Sequence, residues 1–107
     1  EYRGVLNTLT MAVRRFPSGV YALWYPELAI AEVRRLIPGL MQLPAPWLRA
    51  HLHLRRPNPD GSGLTGSGMF VLNPPWTLTA QLRPLLAELT ERLGEKSEAA
   101  AELRQSS

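Results

Sequence analysis

The chain has 107 residues, of which 45% are hydrophobic, so it is long enough for one small domain with a packed core. It contains no cysteine, which excludes a disulfide framework and a thiolate metal site. The net charge is +3 and eleven of the twelve basic residues are arginine, which favours a polyanionic partner, although biased composition explains the same excess.

Hydrophobic spacing predicts the order helix, strand, helix, strand, strand, helix. The first helix covers residues 1–16 and ends at a Pro-Ser-Gly sequence. Residues 20–25, "VYALWY", are apolar on both faces, which is typical of a central strand covered by helices. The second helix is predicted over residues 27–37 and ends before a Pro-Gly pair.

Residues 48–55 alternate between leucine or alanine on one face and arginine or histidine on the other. A long loop separates them from the strand at 69–73, so the two strands are predicted to form an antiparallel hairpin. The cationic row either follows a phosphate backbone or is the solvated face of an edge strand, and the solvated face is favoured. His51 and His53 would need a third ligand, so no metal site is predicted.

The last helix is predicted from Thr77 to Leu93, with a buried leucine stripe and with Pro84 either kinking it or marking its first turn. Residues 94–107 have no wide apolar face and are predicted to be a frayed or disordered tail, which leaves 1–93 as the folded part. One buried strand followed by a hairpin is half of an α/β sheet. Because a helical pattern is already running at Glu1, we expect a fragment of a longer protein.

Residues 61–66, "GSGLTG", match the glycine spacing of dinucleotide-binding turns. Such a turn must follow a strand and open a helix, so that the helix N-terminus meets the anion. Here a strand follows, so a hairpin loop is the better interpretation. The longest apolar stretch is far shorter than the roughly 18 residues of a membrane span, and together with the absence of cysteine this predicts a cytoplasmic protein without membrane contact.

Residues 73–76, Asn-Pro-Pro-Trp, follow an apolar strand and have the form of a signature found in enzymes that methylate exocyclic amines of bases. In that chemistry the asparagine oxygen and a backbone carbonyl accept hydrogen bonds from the amine, the prolines fix the backbone, and the aromatic side chain stacks on the base. The alternative is a strand end in which Trp76 covers the core. The residues alone leave both interpretations open, with Asn73 and Trp76 as candidate catalytic residues.

Three segments in the same order, "RRFPSGVYALWYP", "GLTGSGMFVLNPPW" and the leucine-rich helix, resemble the ribosomal RNA large subunit methyltransferase J family. The resemblance covers about residues 1–93 and implies the C-terminal half of a Rossmann-like methyltransferase sheet. It implies that 20–24 are the fifth strand and that the hairpin forms the sixth and seventh. The family uses S-adenosylmethionine to methylate the exocyclic amine of an adenine in 23S ribosomal RNA.

The resemblance also places the catalytic Asp-Pro-Pro-Tyr and most of the methyl-donor site before Glu1. It therefore implies that this chain holds no catalytic residue, that residues 73–76 are a structural look-alike, and that the 107 residues alone are inactive. The tail departs from the family, which puts the last edge of the sheet in doubt. Contacts with ribosomal RNA are expected from charge and loop position at Arg34, Arg35, Arg49, Arg55 and Arg56.

Two alternatives remain. The chain could be a stand-alone α/β protein-interaction module without catalysis, because half a sheet exposes apolar surface and could dimerise through its open edge. Asn73 could also be catalytic in an enzyme with permuted motif order, which would require a methyl-donor motif after Ser107.

Overall fold

The computed structural model describes residues 2–27, 31–55, 59–60, 65–93 and 100–106. Within these residues it forms three helices and four strands. In chain order they are α1 (Tyr2–Arg15), β1 (Tyr21–Pro26), α2 (Ala31–Met41), β2 (Trp47–His53), β3 (Gly66–Leu72), α3 (Leu78–Leu93) and β4 (Ala100–Gln105). None of the helices in the described part is long and apolar enough to cross a membrane.

The four strands form one sheet in the order β1-β3-β2-β4, and each neighbouring pair is antiparallel. The predicted hairpin is confirmed, with Leu48 of β2 opposite Val71 of β3. The prediction that β1 is a central strand is wrong for this chain, because β1 lies at the edge and pairs only with β3 among the described residues. Its apolar outer face is largely exposed, with Trp24 56% accessible.

A fourth strand forms where the sequence predicts a frayed tail. Residues 100–105 pair with β2, with Leu103 opposite Ala50. The backbone N–H of Ser106 donates to the carbonyl oxygen of Trp47, and the N–H of Trp47 donates to the hydroxyl of Ser106. Backbone pairing holds this strand in place, because its only half-buried residue is Leu103 and the rest of β4 is exposed. The prediction was therefore wrong for 100–105, whereas residues 94–99 of the predicted tail lie outside the described residues.

The sheet separates two layers of helix. Helices α1 and α2 cover one face and form the main core, in which the side chains of Val13, Leu40, Phe70 and Leu72 are almost fully buried. Helix α3 lies over the opposite face, near β2. Of its predicted leucine stripe only Leu86 is buried, so the predicted burial is wrong for the other leucines: Leu82 and Leu89 are half-buried, and Leu85 and Leu93 are exposed.

Two prolines lie inside helices. The sequence predicts that α2 ends before Pro38, but the helix continues to Met41 because Leu40 is fully buried in the core. Tertiary packing therefore outweighs the roughly 3 kcal/mol that an internal proline costs. Pro84 lies six residues after the start of α3, so it does not mark the first turn.

One glycine allows the sheet to pack as it does. Gly68 lies on β3 directly opposite both Tyr25 of β1 and His51 of β2. A Cβ atom at Gly68 would overlap the ring of Tyr25. Because this position carries no side chain, the tyrosine ring crosses the central strand and reaches β2.

We expect Gly68→Ala to lower the free energy of unfolding by about 1–3 kcal/mol, the usual cost of overpacking. The control is Gly4→Ala in α1, where an added Cβ meets nothing within 4 Å. That change should stabilise the helix by roughly 0.5–1 kcal/mol. Urea unfolding of both variants measures the difference, and equal midpoints for the two would contradict this account of Gly68.

Candidate functional site

A polar cluster spans three strands on the face covered by α1 and α2. The hydroxyl of Tyr25 lies 3.1 Å from Nδ1 of His51 and accepts a hydrogen bond from Nε of Arg49 at 2.7 Å. Tyr25 is only 2% exposed. Burial raises the pKa of the Tyr25 phenol, and the neighbouring Arg49 only partly opposes this effect. The phenol is therefore neutral and can donate its proton to His51.

Glu27 follows β1 and completes the cluster. One carboxylate oxygen lies 2.5 Å from Nε2 of His51, and the other lies 2.6 Å from Nδ1 of His53 and accepts a hydrogen bond from the hydroxyl of the buried Thr65. Burial acts to raise the pKa of Glu27, but the hydrogen bonds from Thr65, His51 and His53 together hold it below the usual value. Glu27 is therefore a fixed carboxylate.

The hydrogen bonds fit one consistent pattern of donors and acceptors. Arg49 donates to the oxygen of Tyr25, Tyr25 donates to Nδ1 of His51, and Nε2–H of His51 donates to Glu27. All three hydrogen bonds form when Nε2 of His51 carries a proton and its Nδ1 accepts. The guanidinium of Arg49 is thereby linked to the carboxylate of Glu27 through two side chains and held in one orientation.

An open cavity of about 520 Å³ lies beside this cluster at the end of β1. Tyr25, Glu27, Arg49 and His51 of the cluster line it. Further lining comes from α2 and β4, through Arg34, Ile37, Pro38, Met41 and Arg104. Three guanidinium groups and one carboxylate therefore share the cavity, and a solute with negative charge is favoured there.

The arginines predicted to contact RNA lie at different positions relative to this cavity. Arg34 and Arg49 line the cavity, whereas Arg35 is exposed outside it. Arg55 is half-buried, and Arg56 lies outside the described residues. Sequence reasoning missed Arg104, because that residue was assigned to a frayed tail.

The interpretation of the cationic row as the solvated face of an edge strand is wrong. Strand β2 lies between β3 and β4, and His51 and His53 turn towards Glu27. Sequence reasoning also missed Tyr25, Glu27 and Thr65, because only the register of the sheet brings them to this face. A glycine inside β3, Gly68, was the one available signal, since it opens this strand to the side chain of Tyr25 from β1.

Metal binding finds no support in the part of the chain that the structure describes. No group of three or more His, Cys, Asp or Glu side chains there is arranged to hold an ion. Nε2 of His51 and Nδ1 of His53 are instead hydrogen-bonded directly to the carboxylate of Glu27.

Asn73 has a structural setting at the end of β3. Its backbone is left-handed, with φ at 56°, a conformation that asparagine tolerates better than most residues. Its side-chain amide donates to the carbonyl oxygens of Pro17 and Gly19 at 2.7 and 2.8 Å. The amide therefore ties the end of β3 to the connection between α1 and β1.

Trp76 lies apart from the core. It is 93% exposed, so the prediction that it covers the core beneath the next helix is wrong. Neither Asn73 nor Trp76 lines the cavity beside Tyr25. Most of the "GSGLTG" stretch, residues 61–64, lies outside the described residues, and Gly66 begins β3.

Comparison with known proteins decides the family. A family model described as "Ribosomal RNA large subunit methyltransferase D, RlmJ" matches residues 1–104. The chain belongs to this family. The resemblance found in the sequence is therefore confirmed, and the match extends past residue 93 into β4.

Two curated relatives are both called ribosomal RNA large subunit methyltransferase J. The protein from Haemophilus influenzae is 38% identical over 96 residues, and the protein from Escherichia coli is 35% identical over 96 residues. Each alignment covers 87% of this chain and 33% of the relative. The chain thus spans about a third of the length of the curated relatives that it matches.

A solved structure shares the fold. The crystal structure of protein LPL1258 from Legionella pneumophila superimposes with a TM-score of 0.87 at 26% identity. The superposition covers 100% of this chain and 39% of that chain. The arrangement of helices and strands described above is therefore also found as part of a longer polypeptide.

We expect Glu27→Gln to destabilise the chain near neutral pH by on the order of 1 kcal/mol, because the variant cannot offer a charged acceptor to Thr65, His51 and His53. A carboxyl whose pKa is lowered by folding stabilises the fold above its unfolded pKa, about 4.3, and this contribution is lost as the pH falls through the folded pKa. Urea unfolding at several pH values should show the two proteins converging in acid. A difference that is constant or grows below about pH 4 would contradict the lowered pKa.

Proposed function

We propose that this chain is the C-terminal part of an S-adenosylmethionine-dependent methyltransferase that acts on the exocyclic amine of an adenine in 23S ribosomal RNA. The observation that carries the proposal is the family match over residues 1–104. In this proposal β1, β2 and β3 are the fifth, sixth and seventh strands of a Rossmann-like sheet. The strand order β1-β3-β2 and the helices on both faces support that assignment. A ribosomal RNA substrate would place the protein in the cytoplasm.

The residues described on this chain do not fit a methyl-donor site. Such a site in an α/β sheet needs a glycine-rich turn between a strand and the following helix. Gly66 and Gly68 instead belong to β3. Gly68 lies opposite Tyr25, and the carbonyl oxygen of Gly66 accepts a hydrogen bond from the N–H of Glu27. The proposal therefore assigns S-adenosylmethionine and the catalytic Asp-Pro-Pro-Tyr to the rest of the parent protein.

The proposed contribution of this chain is a rigid wall on the substrate side and part of the contact with RNA phosphates. Arg34 and Arg49 have the best support, because they line one cavity with excess positive charge. The proposal retains Arg35, Arg55 and Arg56 as further phosphate contacts on the strength of their charge.

The second candidate function is a stand-alone protein-interaction module whose open sheet edge or helix face docks a protein partner, or is buried by dimerisation. One observation favours it. A groove of about 480 Å³ between α3 and the outer face of the sheet is lined almost wholly by apolar residues, among them the exposed Val20, Trp24 and Met69. If the chain is instead part of a methyltransferase, the rest of the parent protein covers this surface.

We expect the parent protein to transfer a radiolabelled methyl group to 23S ribosomal RNA that lacks the modification, and the 107-residue chain to transfer none. The reason is that the donor site and the catalytic aspartate are assigned outside this chain. Transfer by the isolated chain would overturn this division of roles. Inactivity of the parent, combined with sedimentation of the isolated chain as a stable dimer, would favour the interaction module.

We expect Asn73→Ala in the parent protein to reduce stability without a comparable loss of turnover. Removing the two amide hydrogen bonds and placing alanine at positive φ should cost at least about 2 kcal/mol. Asn73→Gly is the control, because it keeps the backbone conformation and loses only the amide. Thermal unfolding and kcat are measured on folded protein at low temperature. A loss of kcat of about 100-fold in both variants would restore a catalytic role for Asn73.

A further inference from the structure

Three arginines from three different elements meet at the cavity beside Tyr25: Arg34 on α2, Arg49 on β2 and Arg104 on β4. We propose that this cavity is a subsite for one unpaired nucleotide of RNA, with the phosphate held by Arg34 and Arg104 and the base lying along the apolar wall of α2. The inference rests on the proposed function for its choice of RNA, and it goes beyond it by naming the subsite and its residues.

The register of the sheet gives the first argument. Arg49 and Arg104 are directly opposite each other on neighbouring strands and project from the same face. Side chains in such pairs lie close together, and two like charges there destabilise the sheet. A phosphate bound to Arg104 would reduce this repulsion, so the like-charged pair favours an anion beside Arg104.

The other partners of these arginines leave room for an anion. Glu102 reaches Arg49 only at 3.9 Å and is 61% exposed, so this ion pair is weak. Arg34 and Arg104 are exposed, and neither makes an ion pair with a residue that the structure describes. Arg49 is fixed by Tyr25, whereas Arg34 and Arg104 keep their N–H groups available to a ligand.

The chemistry of the opposite wall indicates a nucleotide instead of a bare phosphate. Ile37, Pro38 and Met41 of α2 present apolar surface to the cavity, and the rings of Tyr25 and His51 lie at its base. A volume of about 520 Å³ is within the range of small-ligand pockets. A base must be unstacked to enter such a cavity, so the expected ligand is single-stranded RNA and not a duplex.

The test measures binding of a fluorescent single-stranded oligoribonucleotide of about ten nucleotides to the full-length parent protein across a range of salt concentrations. For R34Q/R104Q we expect Kd to rise about tenfold. The slope of log K against log salt should fall in magnitude by about 0.7, the value for one single-strand phosphate. The matched control is R14Q/R83Q, which removes the same charge from exposed positions outside the cavity and should change both quantities far less.

Equal effects of the two double variants would overturn the subsite. A duplex of the same sequence gives the second comparison, and an equal loss of duplex affinity in R34Q/R104Q would overturn the assignment to an unpaired nucleotide. Methyl transfer by the parent protein is followed in parallel. If transfer occurs but the two variants bind alike, the subsite is wrong and the proposed function stands. If the parent protein transfers no methyl group but R34Q/R104Q selectively loses affinity for single-stranded RNA, the subsite is supported and the proposed function is not.

Discussion

The passage of the Tyr25 ring over Gly68 organises the polar side of this sheet. The two strands that flank a third strand normally have no side-chain contact, because the strand between them carries its own side chains. Gly68 removes that obstacle, so the hydroxyl of Tyr25 on β1 meets Arg49 and His51 on β2. Gly66 has a different role, because a Cβ atom there would overlap the backbone of Leu52 on β2.

The charge pattern of the cavity follows from this packing. Because Glu27 accepts hydrogen bonds from Thr65 and two histidines, its carboxylate is satisfied inside the cluster. Tyr25 in turn holds one edge of the Arg49 guanidinium. The remaining positive charge then belongs to the open side of the cavity, where β4 adds Arg104 opposite Arg49. Strand β4 has almost no buried side chains, and it therefore contributes to the charge of the cavity more than to the core.

The apolar surface on the other side of the sheet belongs to a chain that matches only part of the length of its relatives. The curated relatives are about three times as long, and the structure from Legionella pneumophila contains the same arrangement within a larger chain. Apolar residues on both faces are typical of a strand inside a sheet that is covered on both sides. In β1 the sequence keeps that pattern although only one of its edges is paired among the described residues.

Local patterns in the sequence determined the three helices, the hairpin of β2 and β3, and the family, because these depend on periodicity and on short contiguous segments. Only the tertiary structure decided which residues form the site. Tyr25 and His51 are 26 positions apart, and their contact depends on the register of two strand pairs and on the absence of a side chain at Gly68. The same is true of β4, whose weak apolar pattern predicts no strand, since backbone pairing with β2 is a property of the assembled sheet and not of residues 100–105 themselves.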